Sequence, residues 1–169
     1  SGASGFIGRA VADFLSTAGH TVIRLVRRDA ASPHERSWDP ASGAIDPAAL
    51  DGIDVLIHLG GENIASGRWT ASKKARLIAS RVDSTQTLAR AVAASAHKPS
   101  LMIVASGAGF YGDTGNEIAD EESPSGRGFL AELARSWEGA AASVTACGVR
   151  LVQLRIGTVL NSRGGALKK

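Results

Sequence analysis

Three glycines at three-residue intervals, Gly2, Gly5 and Gly8, fill the opening stretch Ser1-Gly2-Ala3-Ser4-Gly5-Phe6-Ile7-Gly8. A helix starts inside it: Phe6, Ile7, Ala10, Val11, Phe14, Leu15 and Ala18 make an apolar stripe at helical spacing. Gly19-His20 is the expected C-cap, and Thr21 to Val26 reads as a strand. Glycine lets the chain turn sharply and lets its backbone approach a ligand closely. The free N–H groups and the dipole at a helix start favour bound phosphate. A glycine triplet by itself is no more than a tight turn. A triplet that opens a helix leading into a buried strand points to a nucleotide.

A dinucleotide-binding sheet places a hydrophobic strand just before such a loop. Here the sequence opens within the loop, and it ends at Arg163-Gly164-Gly165-Ala166-Leu167-Lys168-Lys169 without a closing element. The expectation is therefore a piece of a longer chain, with the first strand lying outside it.

The strand Thr21–Val26 ends in Arg27-Arg28-Asp29. In a dinucleotide fold this position meets the adenosine ribose. An acidic residue there selects NAD, whereas arginine offers charge and forked donors to a 2′-phosphate. Arg27 is the better candidate and Arg28 the second, with a solvated basic loop as the bland alternative. If the nucleotide site is real, these residues favour NADP.

Residues 30–52 form a loop with a short strand at Arg36-Ser37-Trp38 and a helical turn from Pro47 to Leu50. Asp54–Leu59 is an almost unbroken apolar run, as in a buried parallel strand, and it ends in Gly60-Gly61. His58 fits strand-end packing better than a catalytic base. A long helix is expected from about Thr70 to Ala96, burying Leu77, Ile78, Val82, Leu88 and Val92, with Lys73, Lys74 and Arg90 in solvent. Arg81 stands beside the buried stripe, from where it reaches either the cofactor edge or the surface. Leu101–Ala105 is the next buried strand, and it delivers Ser106-Gly107-Ala108-Gly109-Phe110-Tyr111. A helix over Phe129–Ala146 and a strand over Val149–Ile156 complete the pattern, with Gly157-Thr158 leaving the last strand. Strands alternating with helices imply an α/β, Rossmann-type, doubly wound parallel sheet with helices on both faces, in one domain over residues 1–169.

Composition narrows the function by exclusion. A net charge of +3 spread along the chain, with 5% aromatic residues, does not suit nucleic acid. No apolar run is long enough for a membrane helix. The single cysteine, Cys147, excludes an intrachain disulfide, suits a reducing, cytoplasmic compartment, and is expected to pack near a helix end. No Gly-Lys-Ser/Thr follows the glycines, so this is no P-loop, and the four histidines are too scattered for a metal site. The expected partner is a small-molecule substrate, with a homodimer left open.

Several stretches together resemble the extended short-chain dehydrogenase/reductases, in particular their atypical epimerase-like members. They are Ser4-Gly5-Phe6-Ile7-Gly8, Ser37-Trp38-Asp39-Pro40, His58-Leu59-Gly60-Gly61-Glu62-Asn63-Ile64 and Arg68-Trp69. Ser80-Arg81-Val82, Gly109-Phe110-Tyr111-Gly112, Ser136-Trp137-Glu138 and the Arg155-to-Gly165 stretch with Gly164-Gly165-Ala166-Leu167 continue them across nearly the whole chain. The resemblance implies an NADP(H)-binding domain and a smaller C-terminal substrate domain outside this chain. It implies cofactor contacts from the glycine loop (Gly2, Ser4, Gly5, Phe6, Ile7 and Gly8), from Arg27, and from Leu59, Gly60, Arg81 and Thr158.

The departures are as informative. The superfamily's proton relay uses a serine, then a tyrosine with a lysine four residues on, which lowers the phenol's pKa toward working pH. The single tyrosine is Tyr111, followed four residues later by Gly115, and the usual serine position is Gly107, one after Ser106. The ordinary relay therefore cannot be assembled. Ser106 as an oxygen-binding donor and Tyr111 as the acid are the candidates that remain, against a loop held by local hydrogen bonds. Three functions compete: an NADP(H)-dependent oxidoreductase or nucleotide-sugar epimerase-like enzyme, a non-catalytic NADP(H) sensor, and a methyltransferase, which Arg27 disfavours.

Overall fold

Helix α1 (Phe6–Thr17) starts from Gly5, which caps it with extended backbone and no side-chain bond. The computed structural model describes residues 1–161 and 164–165. After α1, Gly19 at φ +85° turns the chain toward β1 (Arg24–Val26). β1 is shorter than the expected Thr21–Val26, because residues 21–23 line a cleft and have no ladder partner there. β1 runs parallel to β2 (Glu35–Asp39), and β2 pairs antiparallel with β3 (Ala44–Ile45). The short strand expected around Trp38 and the turn at Pro47–Leu50 are both present. The turn is a 3-10 helix capped by Asp46, which accepts from the Ala48 N–H.

A second sheet holds β4 (Val55–His58), β5 (Leu101–Gly107) and β6 (Arg150–Ile156), all parallel, with β5 in the middle. Met102, Val104 and Ala105 of β5 are buried, as the apolar run requires. They pack in one core with Leu25, Trp38, Leu56 and Leu88. Cys147 is part-buried at the end of a 3-10 turn and packs on this core.

The parallel strands do not form one ladder. β1 and β4 do not pair, and an apolar cleft of about 780 Å³ lies between them, lined by Val11, Ala12, Leu15, Val22, Leu25 and Leu56 among others. The doubly wound order runs its first strand there. Among the described residues Ser1 alone pairs in this slot: its N donates to Ile57 O and its O accepts from Leu59 N. Gly8, Val11, Ala12 and Leu15 of α1 line this cleft, whereas Phe14 lies outside it and is 72% exposed.

The long helix is two helices, α2 (Ala71–Ala79) and α3 (Val82–Ala94). Thr70 caps α2 by accepting from Lys73 N. The break falls where the Ser80 hydroxyl accepts from Glu62 N and donates to Leu77 O, so that a side chain competes with the helical ladder. Lys73 is buried rather than solvated. Its Nζ donates to Glu62 Oε1 (2.6 Å), Asn63 O and Ser66 Oγ (both 2.8 Å), which pins residues 62–66 to α2. Lys74 lies over the Phe129 ring at 5.0 Å, and Phe129 meets Trp69 edge-on. Helix α4 (Phe129–Ala141) ends before Ala146, continuing as a 3-10 turn to Cys147 that Gly148 closes at φ +78°. Short strands β7 (Leu160–Asn161) and β8 (Gly164–Gly165) pair after β6. Arg163 and Ala166-Leu167, part of the resemblance, lie outside the described residues. Among the described residues no helix is long and apolar enough to cross a membrane.

Candidate functional site: the glycine turn and the carboxyl ends of the strands

The three glycines have different reasons to be glycine. Gly2 sits at φ +75°, and a Cβ on it would stand 2.6 Å from Leu59 C. A Cβ on Gly8 would stand 2.1 Å from Gly2 O. Both serve the close packing of the loop on itself and on β4. Gly5 differs: its Cβ would meet only Gly2 O, at 3.2 Å. The protein's own packing therefore barely restricts Gly5, and its outer side is open. α1 has no acidic residue in its first turn, so its first N–H groups face a place suited to phosphate. A pyrophosphate fits this cradle. Ser4, Gly5 and Phe6 are exposed there and Ile7 is half-buried.

Leu59 and Gly60 join the same place, since Gly2 rests on their backbone. Behind them His58 is fully buried. The Ser84 hydroxyl gives its proton to Ser80 O or Arg81 O, so it must accept from His58 Nε2 at 3.1 Å. Nδ1 is then the acceptor of the Ser1 hydroxyl at 2.6 Å. The imidazole is a neutral strut between the glycine turn and α3, edge-on to Trp38, and it fills the packing role expected of it. Burial pushes its pKa down to about 3. A base depressed in the fold costs stability when the unfolded chain takes the proton and the fold does not. Stability should therefore fall as pH drops from the ordinary imidazole range near 6.5 toward about 3, and His58→Gln should flatten that part of the curve. Melting temperatures between pH 7 and pH 4 check this, and an unchanged slope in the variant refutes it.

Arg81 lies at the α2–α3 break. Its guanidinium carbon would be 3.2 Å from a Cβ on Gly61, and it sits over Trp137 at 5.1 Å. It donates to Glu62 O (3.0 Å) and Leu77 O (3.3 Å) rather than to a carboxylate. Burial lowers its pKa, against the pull of Glu62, though a guanidinium stays charged. A half-buried cation satisfied only by neutral oxygens stands beside the carboxyl end of β4.

At the end of β1 the two arginines part company. Arg28 forks onto Glu35 (2.6 and 2.9 Å), and this bond, with the Ala31 N–H, holds the Glu35 carboxyl down to about 2. Arg28 is thereby committed to its own loop. Arg27 is exposed and makes no side-chain hydrogen bond among the described residues. Both line a cleft of about 440 Å³ with Ser37, Trp38 and Ile45, which also contains Asp29, Asp39 and Asp46.

The carboxyl ends of β5 and β6 carry a network that sequence reasoning missed. Ser106 is buried and donates to Glu138 Oε1 at 2.6 Å. Arg155 Nε and Nη2 donate to the two Glu138 oxygens at 2.9 and 3.0 Å. Its Nη1 donates to Tyr111 Oη at 2.9 Å and to Glu121 O at 3.2 Å. The Glu138 carboxylate, and after it Tyr111, hold the Arg155 pKa above its ordinary value. In this arrangement Ser106 holds Glu138 and does not offer its proton to a ligand. Glu138 was visible only as part of Ser136-Trp137-Glu138, with no signal of its partners. Thr158 follows β6 in exposed backbone. Among the described residues no group of acidic, histidine and cysteine side chains could hold a metal.

Known proteins share this sequence pattern and fold. Residues 1–159 match the NAD dependent epimerase/dehydratase family. An epimerase family protein of Mycobacterium bovis is 42% identical over 168 residues, covering 99% of this chain and 55% of that protein. This chain thus spans about half the length of the curated relatives it matches. Among solved structures, a nucleoside-diphosphate sugar epimerase from Corynebacterium glutamicum superposes with a TM-score of 0.85 at 44% identity, covering 98% of this chain and 34% of that one. The human epimerase family protein SDR39U1, solved with NADPH, superposes with a TM-score of 0.82 at 31% identity, covering 98% and 55%.

Proposed function

This chain belongs to the NAD dependent epimerase/dehydratase family, and from that premise we propose that it is the NADP(H)-binding, Rossmann-type domain of an oxidoreductase or nucleotide-sugar epimerase-like enzyme acting on a small polar carbonyl or alcohol. The observation that carries the proposal is the open side of Gly5, set at the bare N-terminus of α1 and backed by Leu59-Gly60. The first-turn N–H groups of Phe6, Ile7 and Gly8, with Ser4 beside them, would hold the pyrophosphate. Arg27 would take the 2′-phosphate, since Arg28 is held by Glu35. The Arg81 charge and Thr158 would border the rest of the dinucleotide. When bound, the nicotinamide supplies or accepts a hydride. Tyr111 would exchange the accompanying proton with the substrate oxygen.

The cofactor assignment is tested by titrating NADPH and NADH, followed by nicotinamide fluorescence. Arg27→Glu removes a charge-assisted contact of about 1.5–3 kcal/mol, so NADPH should weaken roughly 10- to 100-fold. NADH should change little. Equal weakening of the two would refute the 2′-phosphate contact, and stabilisation by S-adenosylmethionine but by neither nucleotide would point to a methyltransferase. One observation favours a second reading, a sensor that binds NADP(H) without turnover: Ser106 is committed to Glu138, and glycine stands at the next position. Tight NADPH binding with no oxidation across a panel of aldehydes and ketones would select it.

A further inference from the structure

The lysine that partners a relay tyrosine is missing from this sequence, yet the Tyr111 phenol has a cation beside it. Arg155 Nη1 donates to Tyr111 Oη at 2.9 Å. The guanidinium is fixed on two other sides, by both Glu138 oxygens and by the Phe110 ring, 3.5 Å from its centroid. Glu138 is steadied in turn by Ser106, which pairs with Arg155 across the β5–β6 ladder. The guanidinium has one geometry available to it, and that geometry ends on the phenol.

A phenol has one proton to give and lone pairs to receive. A guanidinium only donates and stays charged. The contact therefore occupies a lone pair of Tyr111 and leaves its proton for another acceptor. Tyr111 follows the carboxyl end of β5, the edge where parallel sheets bind ligands. We propose that Arg155 is the positioning residue of Tyr111 and stands in for the missing lysine, presenting the phenolic proton to a substrate carbonyl oxygen. This rests on the assignment of Tyr111 as the acid. In the reductive direction the phenol O–H bond breaks as an O–H bond forms on the substrate, whose carbonyl carbon takes hydride from the reduced dinucleotide. The phenolate left behind shares its charge with Arg155. Arginine cannot hand over a proton as an ammonium can, so the phenolate recovers its proton from water.

Tyr111 is the single tyrosine of the sequence, and subtracting the spectrum of Tyr111→Phe isolates it in any case. Ultraviolet resonance Raman of its ring doublet reports whether the phenol oxygen accepts a hydrogen bond. The wild type and Arg155→Lys should show an acceptor, and Arg155→Met should not. With NADPH and a panel of small aldehydes and ketones, Arg155→Met should lose about 100-fold or more in kcat with little change in KM, and Arg155→Lys should stay within about tenfold of wild type. Should Arg155→Met fail to fold, Arg155→Lys decides alone: loss of the acceptor signature with full kcat overturns the proposal. So does a wild-type doublet without an acceptor bond, or Arg155→Met turning over like wild type. An acceptor signature in a wild type that oxidises no NADPH overturns the enzymatic assignment of Tyr111. Turnover indifferent to Arg155 overturns the positioning role alone.

Discussion

Gly8→Ala is expected to destabilise the protein and weaken NADPH binding, whereas Gly5→Ala is expected to weaken binding at least roughly 30-fold with the fold intact. The difference lies in what a methyl group would meet. On Gly8 it would stand 2.1 Å from Gly2 O and 2.9 Å from Ala3 Cα, both backbone atoms. Gly2 O cannot simply yield, because it accepts the Gly5 N–H at 3.0 Å, the bond that closes the turn. Overpacking usually costs about 1–3 kcal/mol, and a clash with backbone belongs at the top of that range. For a domain of this size that corresponds to a melting temperature lower by roughly 5–10 °C. On Gly5 the methyl would meet only Gly2 O, at 3.2 Å, in backbone at φ −72° that alanine adopts freely. What it takes away is the space in front of the α1 N–H groups. The loss should exceed about 2 kcal/mol of binding, roughly 30-fold in Kd, with little change in melting temperature. Thermal unfolding and a fluorescence titration separate the two effects. A Gly5→Ala protein that binds NADPH like wild type would remove the pyrophosphate from this turn.

The same contrast shows what was legible in the sequence. The glycine spacing, the apolar runs of β4 and β5 and the alternation of strand and helix are local patterns, and they lead to the observed elements. Covering and pairing are not local. The stripe on α1 is apolar, but spacing does not say what lies against Phe14, which is exposed. Lys73 looked solvated because a helical pattern sorts charge outward, while the residues that bury it come from the loop over 62–66. The break at Ser80 depends on the same loop, through Glu62 N. Two adjacent arginines follow β1, and only the fold shows that Glu35 claims Arg28. Ser106 and Tyr111 stand out in the sequence for their place at and after the end of β5. Their partners come from α4 and β6, and no spacing rule joins residues 106, 138 and 155.

That non-local network makes Glu138→Ala the largest stability effect expected outside the glycine turn. Glu138 and Arg155 have side chains only 10% and 20% exposed. Removing the carboxylate strands a largely buried guanidinium and leaves the Ser106 hydroxyl without its acceptor. Breaking a buried pair from one side costs about 3–5 kcal/mol, somewhat less here because Arg155 keeps some contact with water. Glu138→Gln keeps the shape and an oxygen for Ser106, and should cost only about 1–2 kcal/mol. The double variant Glu138→Ala/Arg155→Met removes the stranded charge along with its partner, so it should be clearly more stable than the sum of the single changes predicts. Denaturant unfolding of the four proteins closes the cycle. A coupling near zero would mean that Arg155 is held by the Phe110 ring, Tyr111 and the Glu121 carbonyl, and the carboxylate would then have no part in aiming the guanidinium at the phenol.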